Sequence, residues 1–155
     1  MKNLLKYISI SLCFIAILLS CSDDFLTEHD THKDEYAVRY NVTYSTLYDF
    51  HNIAYVSFTS FFNEEDLKYT GKPRQVERTI DGTEDFFTAS RVPKGSRVEF
   101  STYVDVAEAL PNTKVEISIE VSKGNEYNFI EVVKAEADCP LKDNPLTISY
   151  DIPNK

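Results

Sequence analysis

Carboxylates come first among the side chains of this sequence that could do chemistry. Glu64-Glu65-Asp66 and Asp81, Glu84 and Asp85 form two acidic clusters, and a pair of carboxylates held about 5 to 10 Å apart can cleave a glycosidic bond. Both clusters fall in hydrophilic gaps between apolar runs, where acidic residues ordinarily decorate turns. His29-Asp30-Thr31-His32 brings two imidazoles and a carboxylate into one short stretch. A tight metal site also needs a rigid frame and hydrogen-bonded ligands, and this stretch has no apolar periodicity to supply one. Asp81-Gly82-Thr83-Glu84-Asp85 carries oxygen ligands for Ca²⁺ without the alternating spacing of a calcium loop. His51, within Asp49-Phe50-His51-Asn52, reads as a surface histidine in a loop. Gly-x-Ser-x-Gly, His-Glu-x-x-His and Cys-x-x-Cys are all absent from the chain. No catalytic residue, metal ligand or cofactor is therefore assigned, and the chain reads as a non-enzyme.

The aromatic residues are a better lead. Ten Tyr and ten Phe exceed what one small core needs as anchors. Over Ile53–Phe62 the more apolar face is Ala54, Val56 and Phe58, which leaves Tyr55 and Phe61 on the other face beside Ser57 and Thr59. Over Arg97–Val106, Tyr103 likewise falls with Glu99, Ser101 and Asp105. If these two segments are neighbours, Tyr55 and Tyr103 form an aromatic platform able to stack on the C–H faces of a sugar or to anchor a protein. The same rings would serve equally as cover for the second face beneath a loop.

These segments must be strands. Tyr36, Val38, Tyr40, Val42 and Tyr44 alternate with Ala37, Arg39, Asn41 and Thr43, giving one dry face and one wet one. The same period runs through Val98–Val106, Val115–Val121 and Leu146–Ile152. Ile53–Phe62, Gln75–Ile80, Phe86–Val92 and Tyr127–Ala135 are less regular but rich in aromatic and β-branched residues. Gly71, Gly82, Gly95 and Gly124 are expected in turns, and the prolines outside strand interiors. About seven or eight short strands with no helical period predict an all-β antiparallel sandwich over 36–155, with a small lipocalin-like barrel as the alternative.

The chain has 155 residues and a formal charge of −9, so nucleic acid, which demands a basic face, is excluded as a partner. Its N-terminus reads as an address. A cationic start, Met1–Lys6, leads into the apolar run Tyr7–Leu19. That run is shorter than the about 20 residues needed to span a bilayer and suits a secretory signal. It ends in Leu18-Leu19-Ser20-Cys21, which resembles the bacterial lipobox. The resemblance implies removal of 1–20 and acylation of Cys21, with palmitate-type chains holding the protein on a lipid membrane. The alternatives are an uncleaved anchor or a simple signal cut elsewhere. Ser22-Asp23-Asp24 is similar to the acidic export signal of Bacteroidota lipoproteins. It implies an outer-membrane, cell-surface location, the alternative being the periplasmic side. Residues 21–35, rich in Asp and Glu, are expected to form an extended tether. With Cys13 lost in the signal and Cys21 acylated, Cys139 is left as a lone thiol. Asp138-Cys139-Pro140 offers it no activating cation, so it is expected to be buried and inert.

Tyr36-Ala37-Val38-Arg39-Tyr40, Phe86-Phe87 ahead of Lys94-Gly95-Ser96-Arg97-Val98, and Ile148-Ser149-Tyr150 complete the pattern. Together they resemble small Bacteroidota surface lipoproteins with an immunoglobulin-like or transthyretin-like sandwich. That group implies no general activity. The expected function is therefore a membrane-anchored, non-enzymatic module that binds a glycan or a protein, with Tyr55 and Tyr103 as candidate ligand contacts. The alternative is a structural or assembly subunit of an outer-membrane complex.

Overall fold

The computed structural model describes residues 35–45, 53–80, 82–124 and 128–154. The expected signal segment, Cys21, the tether as far as Asp34, His29, His32, His51 and Asp81 lie outside them.

Eight strands follow one another along the chain: β1 Tyr36–Ser45, β2 Ala54–Asn63, β3 Lys68–Thr79, β4 Glu84–Val92, β5 Arg97–Val104, β6 Lys114–Lys123, β7 Ile130–Asp138 and β8 Leu146–Asp151. They make two antiparallel four-stranded sheets, ordered β4-β1-β6-β7 and β3-β2-β5-β8. The expected all-β sandwich is thus what the chain forms, and the closed-barrel alternative is excluded. Only β2–β3 and β6–β7 are hairpins between consecutive strands; β1 and β2, like β4 and β5, lie in opposite sheets. Periodicity cannot supply that order, because it reports which side of a strand is dry and not which strand lies beside it.

β1 alternates without a break and lies inside its sheet, paired with β4 on one side and β6 on the other. Its pairing with β6 runs unshifted from Tyr36↔Lys123 to Ser45↔Lys114. Tyr36, Val38, Tyr40, Val42 and Tyr44 all point into the core. Facing them are Val56, Phe58, Phe61, Phe100 and Ile148 from the other sheet, and Tyr40 packs on Phe58 at 5.4 Å and on Phe100 at 5.3 Å between ring centroids. Each fully buried Val, Ile or Phe is worth about 1.5–3 kcal/mol of transfer free energy. The two deepest tyrosines remain satisfied, Tyr40 by donating to the Thr59 carbonyl at 2.7 Å and Tyr44 through the Thr102 hydroxyl at 2.5 Å.

Four details depart from the sequence reading. Phe61, expected on the wet face with Tyr55, is 1% exposed. The alternation of β2 breaks at Phe58-Thr59, which are buried in succession, and Phe61 then takes the dry side. Between Ser60 and Phe62 the register with β3 also slips, two steps on β2 facing five on β3. Gly71 and Pro73 lie within β3 rather than before it. β3 is an edge strand, where proline costs no ladder bond, and Gly71 at φ +65° occupies the distorted stretch opposite Phe61. Glu84 and Asp85 open β4 instead of standing in a turn, and Val106 lies beyond the end of β5.

Candidate functional site

β2 and β5 are neighbours, and their register sets Tyr55 directly across from Tyr103. The two rings stack with centroids 5.2 Å apart and planes 11° from parallel. Both tyrosines are half-buried, so part of each ring stands above the outer face of β3-β2-β5-β8. Stacking commits one face of each ring to the other, which makes the pair a single stiff ledge of ring carbon carrying two phenol groups.

What fixes the ledge lies beneath it. The Thr102 hydroxyl donates to the Tyr55 carbonyl at 2.8 Å. A threonine has one hydroxyl proton, so at its 2.5 Å contact with Tyr44 Thr102 accepts and the tyrosine donates. A buried relay thus runs from the Tyr44 phenol through Thr102 to the Tyr55 backbone. Burial pushes the Tyr44 phenol up to about 12, against the lowering influence of the Thr102 hydrogen bond.

The surroundings of the ledge follow from register. Ser57 pairs with Ser101, and Ser101 with Thr147, so a row of small hydroxyl side chains crosses three strands next to the rings. Ser57 donates to Gln75 Oε1 at 3.3 Å, and the next row contains Ser149, which accepts from the Arg97 guanidinium at 2.7 Å. Two ion pairs bound the patch: Lys142–Asp105 at 3.5 Å at the tyrosine end and Arg97–Asp151 at 3.5 Å at the other. Lys142 Nζ also lies 6.0 Å from the Tyr103 ring centroid, at the outer limit of a cation–π contact. The Tyr103 phenol is raised by partial burial first and by Glu77 next, with Lys142 opposing. The local field is therefore mildly negative.

The other chemical candidates take ordinary places. Glu64 pairs with Arg78, and Asp66 accepts from Asn63 at 2.8 Å and faces Lys68 at 3.7 Å, so that cluster closes the β2–β3 turn. No group of three or more His, Cys, Asp and Glu suited to a metal occurs among the described residues. Cys139 is buried and free, its sulfur accepting from the Leu110 amide at 3.2 Å.

One surface group escaped the sequence reading. On the outside of the other sheet, Phe86 is 63% exposed, and Arg39 stands between it and Phe129, at 5.6 Å and 4.0 Å from the ring centroids. Glu120 holds the same guanidinium at 3.4 Å. The signal was the doublet Phe86-Phe87, since consecutive strand residues must point to opposite faces. Phe87 takes the inner side, stacked on Phe58 at 5.1 Å. No family model matches the chain, and no curated protein and no solved structure matches it.

Proposed function

We propose that this chain is a non-enzymatic binding module, held on the outer membrane by an acylated Cys21, which meets its ligand on the outer face of β3-β2-β5-β8. The observation that carries this reading is the stacked pair Tyr55–Tyr103, half out of the sheet beside a row of small hydroxyl side chains. The core has its own aromatics in Tyr40, Tyr44, Phe61 and Phe100, all buried. Rings are not needed on the outside to fill it. Half-exposed tyrosines are the usual anchors of recognition, because they bring large contact area with few rotatable bonds.

A photo-crosslinking side chain in place of Ser101, in intact cells, is expected to give an adduct that disappears in the Tyr55→Ala/Tyr103→Ala double variant. The same probe in place of Thr88, on the outside of the opposite sheet, is expected to give none. Equal adducts from both faces, or an adduct at Ser101 indifferent to the tyrosines, would refute the assignment.

The alternative reading, a subunit of an outer-membrane complex, draws on Phe86 and Arg39 instead, since exposed aromatic and arginine side chains are enriched at protein interfaces. It predicts the reverse outcome, adducts at Thr88 and none at Ser101.

A further inference from the structure

We infer that the ligand of the Tyr55–Tyr103 face is a neutral saccharide chain, lying across β2, β5 and β8 along the row Ser57–Ser101–Thr147. This inference rests on the reading of that face as the recognition face and adds the chemical class of its occupant.

Three observations select that class. The first is the mosaic itself. A sugar ring alternates apolar C–H patches with hydroxyls that both donate and accept, and the face offers ring carbon beside a row of hydroxyls with the same double capacity. The second is charge. The ion pairs at the ends of the patch, Lys142–Asp105 and Arg97–Asp151, are internally neutralised, and the charges within it are acidic, Glu77 lying across from Ser57 and Glu99 being the next outward residue to Ser101 on β5. Glu77 and Glu99, on the same face, and a formal charge of −9 for the whole chain repel polyanions. The third is composition. The anchoring centres of protein–protein interfaces are poor in serine and threonine, and here those residues adjoin the rings. A desolvated protein partner would leave Ser101 and Thr147 buried without water, whereas a sugar hydroxyl replaces that water in kind.

The test is affinity electrophoresis of the full chain in detergent micelles. The gels contain mannan, dextran or mixed-linkage β-glucan as neutral probes, or polygalacturonate as the anionic one. At least one neutral polysaccharide is expected to retard the protein, with little change when salt is raised about tenfold, because no charge pair is screened. Tyr55→Ala/Tyr103→Ala is expected to weaken binding by about tenfold or more. Thr147→Arg, a surface change at the β8 end of the row that leaves the core alone, is expected to do the same, and unaltered melting curves identify a folded variant.

Retardation in the polygalacturonate gel alone, in no gel, or unaltered by Thr147→Arg overturns the saccharide assignment. If it falls while the Ser101 photo-adduct still depends on the tyrosines and proves to be a protein, the recognition face stands and only its ligand class is wrong. If the adduct is lost as well, both readings fall together.

Discussion

Tyr44, Thr102 and Tyr55 show how one hydroxyl can connect a core to a surface. Tyr44→Phe removes the buried hydrogen bond to Thr102 and leaves the Thr102 donation to the Tyr55 carbonyl intact, so a loss of about 1 kcal/mol is expected in urea unfolding. Thr102→Val keeps the volume and removes both bonds, and is expected to cost about 1–3 kcal/mol. Equal losses in the two variants would show that the relay does not act as drawn. The same phenol predicts a pH effect of definite sign. Its value in the folded protein, about 12, lies above the ordinary 10.0. The native state therefore keeps a proton that the unfolded chain has already released. The stabilisation is intact below pH 10 and is lost as pH rises from about 10 to about 12, at about 1.4 kcal/mol per pH unit for one group. Burial raises Tyr40 further in the same direction and extends the loss to higher pH. Urea midpoints measured across that window should fall less steeply in Tyr44→Phe than in wild type, and parallel curves would contradict the assignment.

The elements were legible where alternation is strict and illegible where it breaks. β1, β5, β6 and β8 could be read from period-two spacing because their inward residues are nearly all Val, Ile, Phe and Tyr. β2 could be read only as far as Phe58. At Thr59 the alternation breaks, two successive residues being buried, and no side chain announces that break, so Phe61 was placed on the wrong side. β3 was hidden for a related reason. Its exposed edge tolerates Lys, Gly and Pro, whose types ordinarily signal a turn. The turn between β4 and β5 yields a prediction at this scale. Gly95 has φ +70°, and a Cβ added there would lie 2.2 Å from Asn154 Oδ1. Its amide donates to the Ile152 carbonyl at 3.0 Å, tying down the segment after β8. Gly95→Ala should therefore cost at least about 1–2 kcal/mol, combining backbone strain with displacement of Asn154. Adding Asn154→Ala should recover the steric part alone, leaving the double variant less stable than Asn154→Ala by the strain. A fully additive double variant would show that Asn154 is no obstacle.

For the molecule as a whole, the sandwich was legible because a run of wet-and-dry segments without helical period has few ways to bury its dry sides. Sheet order was not, since it depends on pairings between residues far apart in the chain, such as Arg39↔Glu120. The Tyr55–Tyr103 juxtaposition lay between these cases. Each ring's side of its strand was readable, whereas their adjacency required the β2–β5 register. The Arg39–Phe86–Phe129 group needed three segments to converge and was legible in none of them singly. Membrane attachment is tested on the whole chain. Cys21→Ala is expected to move the protein from the membrane fraction to the soluble one, and an unchanged distribution would rule out the lipid anchor.

The four sheet borders carry a further consequence. β3 is interrupted around Gly71 and Pro73, β4 by Arg91 at φ +54°, β7 by the slip opposite Ile119/Glu120, and β8 spans only 6 residues between Pro145 and Pro153. None offers a neighbour a long, straight, unbroken template for strand addition. Copies crowded side by side should therefore stay separate bodies and not knit into fibrils.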